Sequence, residues 1–157
     1  MCQAITDDVP FGAVISIISR ERFIFLNERL RPLGLTSGQF PVLMRLSHEE
    51  NIIQETLVRH YLLDKGTIAR AVRKLETSGY IRRIVDPDNR RAVRIFLTEN
   101  GSAIIPVLKA IDREWDDRVN QGLSPRERAQ AESLMRRIAQ NSHQAIQEIG
   151  DLTHADE

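Results

Sequence analysis

The chain has 157 residues, 41% hydrophobic and 28% charged, with a formal net charge of zero, enough for one domain with its own core, or for one domain with an oligomerising extension. A single cysteine, Cys2, argues against a disulfide scaffold and a cysteine-based structural zinc site. The N-terminus lacks the basic flank and apolar run of a signal peptide, and no segment approaches a membrane span, so a cytoplasmic protein is expected.

The first pattern is helical, from about Pro10 to Arg31, and Val14, Ile17, Ile18, Phe23, Ile24, Phe25, Leu26 and Leu30 cover more than one stripe of it. Such a helix must bury more than one face, here its own core and a partner. Pro32 and Gly34 end it. "TSGQ" reads as a capping box, with Thr36 as N-cap and Gln39 at N3, opening a second helix through Val42, Leu43 and Leu46. Pro41 falls early enough there to cost about one backbone bond. A short helix is expected from Gln54 to about Leu62, with Leu57, Val58 and Tyr61 inward. Asp64 can cap the next helix, Lys65 to about Ser78, which Gly79 closes.

Two strands follow, roughly 80–85 and 92–97, the second alternating in the period of a half-buried strand. Thr98 caps a long helix through Ile104, Ile105, Val107, Leu108, Ile111, Trp115 and Val119. "SPRE" is another capping box, with Ser124 as N-cap and Pro125 at N1, and the last helix runs through Leu134, Met135, Ile138 and Ile146. The final "DLTHADE" is expected to fray. A short helix–turn–helix followed by a hairpin is a winged helix. The long terminal helices are too apolar to face water alone. Either they pack within one chain or, the favoured reading, they pair two chains.

Overall neutrality hides an uneven distribution. Between Arg59 and Arg94 stand Arg59, Lys65, Arg70, Arg73, Lys74, Arg82, Arg83, Arg90, Arg91 and Arg94, against Asp64, Glu76, Asp86 and Asp88, an excess of about +6. This is either a solvated surface or a polyanion-binding centre between acidic helices. The excess is nearly all arginine, which suits planar contacts to phosphate and guanine. On a helical wheel Ile68, Val72 and Leu75, with Ala71, share one arc of the helix at 65–78. Gly66, Arg70, Arg73 and Thr77 lie opposite, with Lys74 at the edge. An apolar back and a basic front suit a helix laid in a DNA major groove. Lys65, Gly66 and Thr67 stand at its N-terminus, which attracts phosphate. The loop "DPDNRRA" carries the turn-formers Asp86, Pro87, Asp88 and Asn89, which can hold it by Asx-type bonds or by pairing an arginine. It aims Arg90 and Arg91 toward a neighbouring minor groove, whose negative potential over A·T-rich DNA draws in arginine. Arg82, Arg83 and Arg94, on the hairpin stem, are candidates for flanking phosphates or for intramolecular ion pairs.

The stretch "LDKGTIARAVRKLETSGYIRRIVDPDNRRAVRIFLTENG", Leu63 to Gly101, resembles the MarR family of transcriptional regulators, and the resemblance extends over nearly the whole chain. The family's wing signature, Asp-x-Arg-Ala, four residues, then Leu-Thr, reads here as Asn89, Arg90, Arg91, Ala92, "VRIF", Leu97, Thr98. The resemblance implies a fold that is mainly α with a small β-wing. A winged helix-turn-helix DNA-binding domain would span 35–97, and 1–34 with 98–157 would form a helical dimerisation region. It further implies a homodimer on the double-stranded DNA of a pseudo-palindromic operator, read as a repressor, with Arg91 in the minor groove and Arg90 beside it. Asn89 stands where the family has Asp, so the ion pair steadying the wing becomes a neutral hydrogen bond unless Asp86 or Asp88 compensates.

Many relatives release DNA when a small phenolic or aromatic carboxylate effector binds. By resemblance Arg20, expected near Thr36 and Ser37, is the candidate for its anionic group, the alternative being a surface or interface ion pair. A peroxide-sensing branch carries a cysteine near the start of the first helix. Gly12 stands at that position and Cys2 is a poor substitute. His48, His60, His143 and His154 show no metal-site spacing. No nucleophile–base motif or phosphate-binding glycine loop is present. A non-enzymatic protein without cofactor or metal is expected. The competing reading is a winged-helix adaptor that binds a protein partner.

Overall fold

Leucines and isoleucines between Leu26 and Ile111 organise that part of the chain around one apolar centre. The computed structural model describes residues 5–61 and 65–154. In chain order the elements are α1 (Phe11–Leu30), a 3-10 turn (Arg31–Leu33), α2 (Phe40–Leu46), β1 (Ile52–Ile53), α3 (Gln54–Tyr61), α4 (Lys65–Thr77), β2 (Ile81–Val85), β3 (Val93–Leu97), α5 (Glu99–Val119) and α6 (Pro125–His154). The fold is mostly helical with one small antiparallel sheet, a winged helix. Two compact units are distinguished, one ending at Trp115 and one beginning at Asp116.

In the first unit, Leu26 and Leu30 of α1, Leu43 and Leu46 of α2, Leu57 of α3, and Ile68, Val72 and Leu75 of α4 are buried. They pack with Ile81, Ile95 and Leu108 in one cluster. The sheet order is β1-β3-β2. Ile81 faces Leu97 and Val85 faces Val93 across the hairpin, while Ile52 of β1 faces Ile95. Ion pairs staple α1 to α5, Arg22 to Asp112 at 3.1 Å and Arg29 to Glu114 at 2.6 Å, beside the Phe25–Trp115 ring contact.

Strand β1 is absent from the sequence reading, since two residues carry no periodicity. It is reached through Asn51, at φ 63, the left-handed region that asparagine tolerates. Helix α2 begins later than its expected cap. The Thr36 N–H and hydroxyl both donate to Gln39 Oε1, at 2.9 and 3.0 Å. The box is thus made from one side, residues 37–39 form a turn, and the helix opens at Phe40. Pro41 then sits within the first two helical positions, where its missing N–H costs no ladder bond, instead of the one expected. Asp64 and Leu62 lie outside the described residues, as do residues 155–157. The "DLTH" segment, expected to fray, continues α6 to His154. Helix α5 runs through Pro106, which is exposed, so solvent can take the carbonyl that loses its ladder bond.

In the second unit the capping box is complete. Ser124 N–H and Oγ donate to Glu127 Oε2 at 2.8 and 2.6 Å, and Glu127 N–H donates to Ser124 Oγ at 3.3 Å. The serine hydroxyl and N–H hold the Glu127 carboxyl below its ordinary value of 4.5. A depressed carboxylate stabilises above the unfolded value and ceases to as pH falls through the folded one. The start of α6 should therefore loosen on acidification below the ordinary glutamate range. An NMR titration of the Ser124 and Glu127 amides checks this, and Glu127→Gln should abolish the transition. An unchanged profile in that variant would assign the loosening elsewhere.

Candidate nucleic-acid interface

Helix α4 carries its chemistry on the side that packing leaves free. Ile68, Ala71, Val72 and Leu75 are buried, whereas Lys65, Gly66, Arg70, Arg73, Lys74 and Thr77 are exposed and Thr67 is half-buried. Gly79, at φ 73, terminates the helix in the left-handed conformation that favours glycine. Arg70 Nη2 donates to Thr67 Oγ1 at 3.0 Å, which steadies the guanidinium one turn along the same face. Lys65 lies 3.9 Å from Glu55 with both side chains largely in water, a pair worth little. The turn that leads into α2 borders this face. Thr36, Gly38 and Gln39 line a notch of about 180 Å³ with Thr67, Arg70 and Lys74. The sequence reading had not placed Thr36 or Gly38 there, and only the packing of α2 against α4 brings them in.

The wing turn is built from backbone and carboxylate. Ala92 N–H donates to Asn89 O at 2.8 Å, which closes a β-turn with Arg90 and Arg91 at its two central positions. Asn89 Oδ1 accepts the Arg91 N–H at 3.1 Å, an Asx turn. Both arginines are exposed and have no carboxylate partner among the described residues. Beneath them Asp86 is buried, 3% exposed. Its Oδ1 accepts the N–H of Asp88 at 2.9 Å and of Asn89 at 3.3 Å, and its Oδ2 accepts Arg94 Nε at 2.6 Å. The backbone N–H of Asp88, then Arg94, hold this carboxyl below the usual range. Of the two acids that could compensate for Asn89, Asp86 is the one engaged with an arginine, while Asp88 contributes its N–H.

The stem arginines have different fates. Arg83 Nε and Nη2 both reach Glu76 Oε2, at 2.8 and 2.5 Å, tying β2 to the end of α4 and lowering the Glu76 carboxyl below its ordinary range. Arg94 is spent on Asp86. Of the two readings of these arginines, the intramolecular ion pair is the one seen in the structure for both. The Arg82 guanidinium lies 4.5 Å from the Phe96 ring centroid and is exposed. Lys65 and Arg91 line one shallow cleft of about 230 Å³ with Glu55 and Val58, so the beginning of α4 and the wing turn face a common side.

For Arg20 the structure gives the surface ion pair, the alternative to an effector contact. It is exposed and bonded to its neighbour Glu21 at 3.0 Å. The α1 residue that meets the Thr36–Ser37 turn is Asn27, whose Oδ1 accepts the Ser37 N–H at 3.0 Å, about 10 Å further along the helix axis. Among the described residues no group of three His, Cys, Asp or Glu side chains could hold a metal ion, and no helix is long and apolar enough to cross a membrane.

Residues 35–93, from the α2 turn to the start of β3, match the MarR family profile. The chain is 31% identical to YybA of Bacillus subtilis strain 168, an uncharacterized HTH-type transcriptional regulator, over 81% of this chain and 85% of that one. This chain belongs to the MarR family. Its fold matches that of a MarR transcriptional regulator from Methanosarcina mazei Go1, with a TM-score of 0.79 and 37% identity over 85% of this chain and 96% of the other. A mutant MarR from Escherichia coli, solved in complex with operator DNA, aligns with a TM-score of 0.75 and 27% identity over 83% and 94%. The MarR signature thus has a structural content here: Asn89 and Ala92 close the turn, Arg90 and Arg91 fill it, and Thr98 joins the hairpin to α5.

Proposed function

We propose that the protein is a homodimeric, sequence-specific regulator of transcription, acting as a repressor. It lays α4 in the major groove and sets Arg90 and Arg91 in the adjoining minor groove of a pseudo-palindromic operator. One observation carries the reading. Arg70, Arg73 and Lys74 on α4, and Arg90 and Arg91 on the wing, are exposed cations without a carboxylate partner among the described residues, whereas Arg83 and Arg94 are neutralised. A charge left unpaired in this way is available to phosphate and to base edges. Dimerisation is supported by the apolar residues that α1 and α6 leave exposed, Phe11, Ile18, Phe23 and Ile24 on the one and Leu134, Met135 and Ile146 on the other. Release by a small phenolic or aromatic carboxylate rests on the family alone.

Selection from a random duplex pool should return two half-sites about one helical turn apart, near 10 bp. Arg70→Ala should then relax discrimination at one base position by about 1–3 kcal/mol. Arg91→Ala should weaken binding most where the flank is rich in A·T. Retention of random and selected duplexes with equal affinity would overturn the reading in favour of a protein-binding adaptor. Sedimentation tests the dimer independently.

A further inference from the structure

We propose that Asp86 is the positioning residue of the wing, fixing where Arg90 and Arg91 stand before DNA arrives. The proposal rests on the reading of the wing as a minor-groove reader. A buried carboxylate is costly unless its oxygens are fully engaged. Among the described residues only Gln39 and Asp86 are buried and polar. Asp86 has a bond to each part of the loop. Its side chain takes the N–H groups of Asp88 and Asn89 on the outgoing limb and Arg94 on β3. Its own N–H donates to Ala92 O at 3.0 Å on the returning limb.

Arg94 lies opposite Ile84 in the hairpin, so the ion pair runs from the paired stem to the unpaired turn. The Asn89 side chain adds one bond within the turn, from the Arg91 N–H, and among the described residues makes none outside it. The negative charge that braces this wing is thus supplied three residues earlier than in the family signature. A turn fixed in advance loses less freedom when its arginines enter a groove. Loosening Asp86 should therefore remove wing readout and leave readout by α4 intact.

The test uses the full chain and a duplex from the selection above, in two forms, with A·T or G·C pairs under the wing. Asp86→Asn keeps the shape and an acceptor for the backbone but removes the charge that holds Arg94. The preference for the A·T flank should fall at least about fivefold, the equivalent of one ordinary hydrogen bond. Discrimination against a mismatch in the half-site read by α4 should not change. In the free protein, exchange of the Ala92 amide should quicken about tenfold or more, and Asn89→Asp added to Asp86→Asn should restore part of the flank preference. A thermal melt confirms that the variants fold. Retention of the wild-type flank ratio and Ala92 exchange by Asp86→Asn overturns the proposal, as does an equal loss of flank and half-site readout. A wild-type protein that binds the duplex but ignores the flank instead overturns the minor-groove reading, and does so before any substitution is made.

Discussion

Gly101→Ala is expected to remove about 3 kcal/mol of unfolding free energy and to lower the melting temperature by roughly 6–12 °C. In an exposed helix the same change would gain about 1 kcal/mol. Here the added Cβ would stand 2.0 Å from the Tyr80 carbonyl oxygen and 3.0 Å from Leu97 Cδ2. The oxygen is backbone, and it already accepts the Thr98 N–H at 3.0 Å. Nor can the glycine retreat, because its N–H donates to Thr98 Oγ1 at 3.1 Å while that hydroxyl donates to Gly79 O at 2.6 Å. The first turn of α5 is thus pressed onto the Gly79–Tyr80 backbone, and only a residue without Cβ fits between them. Gly38, which has open space around it, is the control, and Gly38→Ala should stay within about 0.5 kcal/mol of the parent. Urea and thermal unfolding of the three proteins measure this. Equal stability of Gly101→Ala and the parent would mean that α5 moves off Tyr80 without cost.

That contact explains what was legible in the sequence and what was not. The run from Leu97 to Gly101 was readable as a motif and Thr98 as a cap, but not the reason for the glycine, which lies in a backbone twenty-one residues away. The two faces of α4, the hairpin and the Ser124 box were readable because each depends on residues within a turn or two of one another. Strand β1 was hidden because its partner, Ile95, is distant and two residues have no period. The stem arginines were left open between phosphate and ion pairing for the same reason. Nothing local tells that Arg83 reaches back to Glu76 or that Arg94 closes on Asp86. Those pairings are set by hairpin register and by the packing of β2 on α4. The nearness of Arg20 to the α2 turn rested on family likeness alone, whereas Asn27 makes that contact and Arg20 has the surface ion pair that was its other reading.

The second large effect follows from α4 serving two masters. Leu75 is fully buried on the inner face, and Leu75→Ala should cost about 2–5 kcal/mol through lost transfer energy and the cavity left behind. Arg73 stands on the outer face, exposed. Its side chain has no ion pair among the described residues, and its carbonyl accepts the Thr77 hydroxyl whatever side chain it carries. Arg73→Ala should therefore leave stability within about 0.5 kcal/mol. Loss of this cation should weaken duplex binding uniformly across sequences and reduce the salt slope by about one. The contrast is what gives the experiment its force. At a temperature where Leu75→Ala is still folded, its discrimination between selected and random duplexes should match the parent, since the outer face is untouched. Denaturant unfolding and duplex titration at several salt concentrations read both properties on the same samples. If Leu75→Ala loses discrimination while folded, or Arg73→Ala loses stability while keeping its affinity, the two faces are not separable and the division of labour along α4 is wrong.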